Sequence, residues 1–225
     1  MDDDHSQALT SKQSRNIMKQ MEKSVCKITK SNLKTKTSGT GFLCNISTTP
    51  VLITNNHILD ENDIQIGNEF SISFEDGEKT KIIKIDKNRK KYTINKLNGY
   101  EVDVTIIEIN KKGDDLLEQE FLELDDNLFE NNVSDIYKGK YIYIIQYPID
   151  KSCSYSTGKI KRVPEKDKSF DINHSCSTEV GAGGSPIFLY NNKVIAVHRG
   201  CLGNEFNYNI GTLLKYPIEE FNKKN

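Results

Sequence analysis

The sequence predicts an all-β domain with a short N-terminal extension and a C-terminal helix, and three features lead there. Short apolar runs recur along most of the chain, divided by turn-forming residues. In Glu69–Phe74 apolar and polar residues alternate, the period of a strand with one buried face. Asp76-Gly77 then reads as a tight turn into a second run, Thr80–Ile85. The 225 residues fit one domain plus an extension, since a single β domain commonly runs past roughly 200 residues.

In chain order, residues 1–22 form the extension. Within it, 7–22 is polar and reads as a short helix leaning on the domain through Ile17, Met18 and Met21. Strand-forming runs follow at Ser24–Thr29, Thr37–Cys44, Pro50–Thr54, Glu69–Phe74, Thr80–Ile85, Tyr92–Ile94 and Asp103–Ile109, and make a first unit over about 23–110. Asp114–Asn131 is acidic and rich in Leu and Phe, and reads either as a short helix or as part of a linker over about 111–139. A second unit over about 140–214 takes in Tyr141–Pro148, Ser154–Ile160, Phe170–Ser175, Ser185–Tyr190, Val194–His198 and Asn207–Leu214. Pro217–Phe221 then marks a helix over about 216–223, with its Pro tolerated in the first turn.

Composition narrows the function classes. Basic and acidic residues balance at 31 against 32, so no electrostatic case exists for nucleic acid or a membrane surface as partner. The densest basic cluster, Lys87–Lys91, reads as a solvated loop between strands. No apolar run approaches the roughly 18–20 residues that a membrane-spanning helix needs. Met1–His5 lacks the basic start and apolar core of a secretion signal. Five cysteines (Cys26, Cys44, Cys153, Cys176, Cys201) are an odd count without a pairing motif, which argues against a disulfide framework and for an intracellular, cytoplasmic setting. Their spacings suggest no zinc site, His5 and His174 have no evident ligand partners, and no metal or cofactor is expected. Asn173-His-Ser-Cys176 could pass for a Cys/His pair, but reads as strand leading into Thr178.

Three segments carry the chemistry. Val51–Leu59 is an apolar strand ending in Asn-Asn-His57, Glu101–Ile109 holds Asp103 at the start of an apolar run, and Thr178–Pro186 is a glycine-rich loop. Nucleophilic acyl transfer needs these types together. A hydroxyl attacks at neutral pH only if an imidazole takes its proton, and a carboxylate then fixes the imidazole's tautomer and stabilises its charge. The order His57, Asp103, glycine loop is one of the few in which such triads occur.

All three segments resemble the chymotrypsin-like serine peptidases. The resemblance covers about residues 23–222 and implies a double β-barrel with the active-site cleft between the barrels. It casts His57 as general base and Asp103 as its orienter. The family loop reads Gly-x-Ser-Gly-Gly or -Ser-Pro; here Gly181 fits its start and Gly184-Ser-Pro186 its end, so the nucleophile position falls on Gly183. Glycine has no atom to attack with. The backbone N–H groups of Gly181 and Gly183 would still form the oxyanion hole, because they do not depend on a side chain. Other registers fit worse. A nucleophile at Ala182 puts Val180 at the oxyanion glycine, and one at Ser185 puts Pro186, which has no N–H, where a glycine belongs.

A pocket pattern supports the same register. Glutamyl endopeptidases, which share this fold, bind the P1 carboxylate with a Thr five residues before the nucleophile and a His fifteen after it. Viral 3C-type proteases use a similar pair for P1 Gln. Counting from Gly183 gives Thr178 and His198, the latter in Lys193–Gly200, which resembles the corresponding strand of those enzymes. The resemblance thus implies a serine endopeptidase scaffold acting on peptides or proteins with Glu or Gln at P1. It is inactive as written because of Gly183, whether that glycine was introduced or is a natural pseudoprotease's own. The alternative is a non-catalytic peptide- or protein-binding module on the same fold.

Overall fold

The computed structural model describes residues 8–32, 35–163, 170–201 and 208–224. His5, the first residues of the expected extension and Asn207 of the last expected strand lie outside them. The chain is mostly β, with one closed six-strand barrel, a second, open sheet, and a C-terminal helix.

The extension is tied down. Helix α1 (Ser11–Lys23) starts at Thr10, whose Oγ1 accepts from Gln13 N–H while Thr10 N–H donates to Gln13 Oε1 at 2.8 Å. This reciprocal cap satisfies two donors that a helix start leaves open. The buried face carries Ile17 and Gln20. Gln20 Oε1 accepts from the Tyr143 hydroxyl at 2.8 Å, which anchors the helix to the second barrel.

The first unit contains β1 (Val25–Asn32), β2 (Thr35–Ile46), β3 (Thr49–Thr54), β4 (Glu69–Phe74), β5 (Lys79–Lys84), β6 (Lys91–Leu97) and β7 (Tyr100–Glu108). They pair in the order β5-β4-β1-β2-β3-β7-β6. β2 is long enough to serve two neighbours in succession: its first part pairs with β1, its second with β3, and Phe42 faces both Val25 and Ile53. The side chains of Ile28, Leu43, Leu52, Phe70, Ile72 and Phe74 are turned inward, 4% exposed or less. Burying each such side chain stabilises the fold by about 1.5–3 kcal/mol. Among the described residues β5 and β6 do not pair, so this sheet does not close as the second one does. The segment between them is drawn to β7 instead. There Glu108 N–H donates to Lys90 O at 2.8 Å, and Arg89 Nη1 donates to Glu108 O at 2.7 Å.

Asp114–Asn131, open between helix and linker, is neither a long helix nor featureless. It holds turns, the two-residue strand β8 (Leu122–Glu123), which lies parallel to Cys44–Asn45, and a 3₁₀ turn at Asp126–Phe129. Asp114 pins its start through a bidentate pair with Arg89, both contacts 2.8 Å and both side chains 5% exposed. A short helix, α2 (Val133–Tyr137), leads into the second unit.

The second unit is the closed barrel β10-β11-β14-β13-β12-β9, from β9 (Tyr141–Gln146), β10 (Ser154–Arg162), β11 (Asp171–His174), β12 (Pro186–Leu189), β13 (Val194–Cys201) and β14 (Asn209–Leu213). Ile142 to Ile145 are all buried because β9 is covered on both faces, and the Tyr143 ring stacks on Phe188 at 4.6 Å. Helix α3 (Lys215–Lys223) returns to the first unit, where Lys90 Nζ lies 4.7 Å from the centre of the Phe221 ring.

Candidate active site

His57 sits in a tight turn just after β3. Ile58 and Leu59 N–H both donate to Asn55 O, and these two apolar side chains are buried in the first unit. With its neighbours anchored, the His57 side chain is turned outward and is 49% exposed. Asp103 is aimed at it by a bulge in β7. Ile94 pairs with Val104 but Lys96 with Glu101, so Val102 and Asp103 oppose one residue of β6. An extra residue turns a side chain off the alternation of its strand. Asp103 takes a φ of 53°, a left-handed conformation that Asp tolerates better than most residues.

The carboxylate grips His57 twice. Asp103 Oδ1 accepts from His57 backbone N–H at 2.9 Å, and Oδ2 lies 2.6 Å from Nδ1. That contact assigns the ring proton to Nδ1 and leaves the lone pair on Nε2. Asn55 Nδ2 donates to Asp103 O at 2.8 Å and ties the two segments together.

The loop 178–185 meets this pair from the second unit, and its three glycines differ. Gly181 has a φ of 102° and a Cβ there would lie 2.7 Å from Tyr147 O; Gly184 has a φ of 86° and a Cβ would lie 1.9 Å from Thr40 O. Both positions require glycine. Gly183 does not: its φ lies outside the left-handed region, and the three atoms nearest to a Cβ would be His57 Nε2 (2.8 Å), His57 Cε1 (3.1 Å) and Asn55 Oδ1 (3.3 Å). A side chain at 183 would therefore point at the free imidazole nitrogen. The loop is held by Thr40, whose N–H donates to Gly183 O (2.8 Å) and whose hydroxyl donates to Gly181 O (2.9 Å). Among the described residues no acceptor takes the N–H of Gly181 or of Gly183. Ala182 and Ser185 are buried at 1% and 0% exposure, and the Ser185 hydroxyl has no partner. Neither faces the cleft.

Thr178 and His198 are not bonded to each other; each has its own partner. The half-buried Thr178 donates its hydroxyl to Asn209 Oδ1 at 2.8 Å, and Asn209 Nδ2 donates to Cys176 O at 2.6 Å. His198, 2% exposed, places Nδ1 3.2 Å from Nε2 of the fully buried His174. Burial lowers the pKa of His174 to about 3, with His198 adding to it. Burial lowers that of His198 to about 4, with nearby His57 acting alike and the Ile210 backbone opposing. Both rings are neutral near pH 7. Sequence reasoning treated His174 as a plain strand residue and passed over Asn55 and Asn209. Asn55 carried a signal, as the polar start of the His57 turn. The other two become neighbours of Thr178 and His198 only through the β11-β14-β13 order. Among the described residues all five cysteines are free, and no group of His, Cys, Asp and Glu is clustered enough to hold a metal ion.

Comparison with known proteins gives a consistent picture. The trypsin-like peptidase domain family matches residues 39–197. A glutamyl endopeptidase of Staphylococcus aureus is 32% identical over 104 residues, which cover 42% of this chain and 28% of that protein's length. Among solved structures, a serine endoprotease of Yersinia pestis superposes with a TM-score of 0.66 over 97% of this chain and 69% of its own, at 11% identity. The active form of the Rv3671c protease of M. tuberculosis gives 0.63 over 91% and 82%, at 16% identity. At such identities the two structures speak for the fold alone.

Proposed function

The chain belongs to the trypsin-like peptidase family, and from that premise we propose that it binds peptides with Glu or Gln at P1 in a serine-endopeptidase cleft that lacks its nucleophile. A peptidase domain implies peptide or protein substrates. The observation that carries the rest is the approach of Gly183 to His57: a Cβ there would lie 2.8 Å from Nε2, on a backbone whose φ is outside the left-handed region. His57 then has the role of general base, Asp103 holds its tautomer, and the unengaged N–H groups of Gly181 and Gly183 are the donors for an oxyanion. With a hydroxyl at 183, Nε2 would take its proton as the oxygen bonds to the scissile carbonyl carbon, and the carbonyl π pair would move onto its oxygen. The resulting imidazolium would then protonate the leaving amine as the C–N bond breaks.

One detail favours the second reading, a module that binds peptide without cutting it. A Cβ at 2.8 Å from Nε2 is closer than real contacts, so the ring stands partly where a side chain would be. Gly183→Ser separates the two. Cleavage after Glu or Gln that disappears with His57→Ala supports a peptidase scaffold. A folded but silent Gly183→Ser chain, tested on a peptide library by mass spectrometry, supports the binding module.

A further inference from the structure

We propose that Asn209 sets the hydrogen-bond polarity of the pocket at Thr178 and His198, so that the pocket selects the carboxamide of Gln over the carboxylate of Glu. This rests on the P1 reading above and decides between its two substrates. Asn209 opens β14 and pairs with His174 across β11. Its amide orientation follows from its partners. The group at 2.6 Å is the Cys176 carbonyl, which can only accept, so Nδ2 is at that end and Oδ1 is at the other. Thr178 Oγ1 lies 2.8 Å from that Oδ1. An amide oxygen carries no hydrogen, so the hydroxyl must donate. The Thr178 hydrogen is thereby committed, and its oxygen offers a ligand only lone pairs.

The histidine pair supplies the opposite polarity. One proton lies between His174 Nε2 and His198 Nδ1, 3.2 Å apart. His174 Nδ1 is buried and has no partner among the described residues. If His198 gave that proton, His174 would carry its own on Nδ1, a buried N–H with no acceptor. If His174 gives it, Nδ1 keeps only an unused lone pair, and buried N–H groups without an acceptor are rare. His174 is therefore the donor, and His198 keeps its proton on Nε2. The pair then offers a ligand one donor, His198 Nε2–H, for which the Ile210 backbone carbonyl competes, and one acceptor, Thr178 Oγ1.

A primary carboxamide matches that pair, with its oxygen on His198 and its NH₂ on Thr178. A carboxylate has only acceptors, so one of its oxygens would face the lone pairs of Thr178. Its charge would also go unmatched, since burial keeps both rings neutral near pH 7. Arg199, next in the chain, is held by Asp171 Oδ1 at 2.7 Å and by the Glu101 carbonyl at 2.9 Å.

Calorimetric titration of the chain as it stands, with peptides identical except for Gln, Glu, Leu or Lys at P1, tests this. Gln is expected to bind tightest at pH 7, with Glu weaker by about tenfold or more, the lower range of what one unmatched buried hydrogen-bonding group costs. Asn209→Ala frees the Thr178 hydroxyl to donate, so the Gln-to-Glu ratio should fall toward one; a purely structural Asn209 would weaken both peptides alike. Thr178→Val should weaken Gln without helping Glu. Glu binding as tightly as Gln, with both well above Leu and Lys, would overturn the polarity and leave the P1 pocket standing. Equal binding of all four peptides, or none, would overturn the pocket and the inference together. The comparison of peptides on the unaltered chain decides even if a variant fails to fold.

Discussion

The two halves of the cleft treat histidine in opposite ways. His57 is half exposed and held from one side by a buried carboxylate, whereas His174 and His198 are sealed in the closed barrel and, among the described residues, have only each other as side-chain hydrogen-bond partners. The difference fits the proposed function. A general base has to gain and lose a proton within each turnover, so it needs a free nitrogen facing the cleft and a counter-charge behind it. A reader of an uncharged group needs a fixed tautomer and a dry surrounding, where an unmatched polar atom costs most. On that proposal the first half lacks one side chain, the nucleophile at 183, and the second lacks none.

The largest effect should come from completing the first half. Removing a serine nucleophile lowers turnover on the order of a millionfold, so Gly183→Ser should recover most of that range if His57 gives way by a few tenths of an ångström. Cleavage of a Gln-containing peptide by the variant and not by the parent is the measurement. Gly183→Ala is the control, because it adds the Cβ without the hydroxyl. In the Gly183→Ser chain, Asp103→Asn should then lower kcat by about 10⁴-fold through loss of the tautomer that Oδ2 enforces. Comparable turnover in the two chains would mean that the 2.6 Å contact with Nδ1 contributes little.

Most of the architecture was legible because it is local. Alternation in Glu69–Phe74, the apolar run ending at His57, and the glycine loop all declare themselves within a few neighbouring residues. Pairings between distant segments were not. Nothing near Ile85 or Lys91 indicates that β5 and β6 stay apart while β9 and β10 close a barrel. Between β5 and β6, Arg89 is bound to Asp114 and to the Glu108 carbonyl, contacts between segments distant in sequence. The Asp114–Asn131 stretch was ambiguous for a related reason: Leu116 and Phe121 join one core, Leu122, Leu124 and Leu128 the other, and Leu117 and Phe129 are exposed, so no period results. The same holds at the site. Asp103 could be found from its strand, but the bulge that turns it toward His57 could not, since it is a mismatch of register between β6 and β7. His174 and Asn209 had no local signal at all.

Acid should distinguish the two kinds of histidine next. His174 and His198 have folded pKa values lowered to about 3 and about 4, whereas in the unfolded chain they return to about 6.5. Between about pH 6.5 and pH 4 the unfolded chain thus binds protons that the folded chain refuses, so stability falls as pH falls through that window. Above about pH 6.5 these two residues contribute no pH dependence. Thermal unfolding across this range should show the decline, and His174→Phe, which keeps a ring but cannot titrate, should make it shallower. An unchanged acid slope in His174→Phe would show that the ring is solvated and not sealed.

The smallest predicted effect concerns Asn55, which stands where the two halves meet. Its Nδ2 is spent on Asp103 O, which fixes the amide and leaves Oδ1 buried with no donor. That oxygen lies 3.3 Å from where a Cβ on residue 183 would be, within reach of a hydroxyl attached to it. A buried acceptor without a donor costs about 1–3 kcal/mol, and a new neutral hydrogen bond returns about 0.5–1.5 kcal/mol. Gly183→Ser should therefore be more stabilising, or less destabilising, than Gly183→Ala by roughly 1 kcal/mol in the Asn55 chain. In an Asn55→Ala chain that acceptor is gone, only His57 Nε2 remains for the hydroxyl, and the Ser-to-Ala difference should shrink. Urea unfolding of the six chains gives the coupling directly, provided that the two positions are compared as a double-mutant cycle. A Ser-to-Ala difference that survives Asn55→Ala undiminished would assign the hydroxyl's partner to His57 Nε2 alone, and Asn55 would then act only on the position of Asp103.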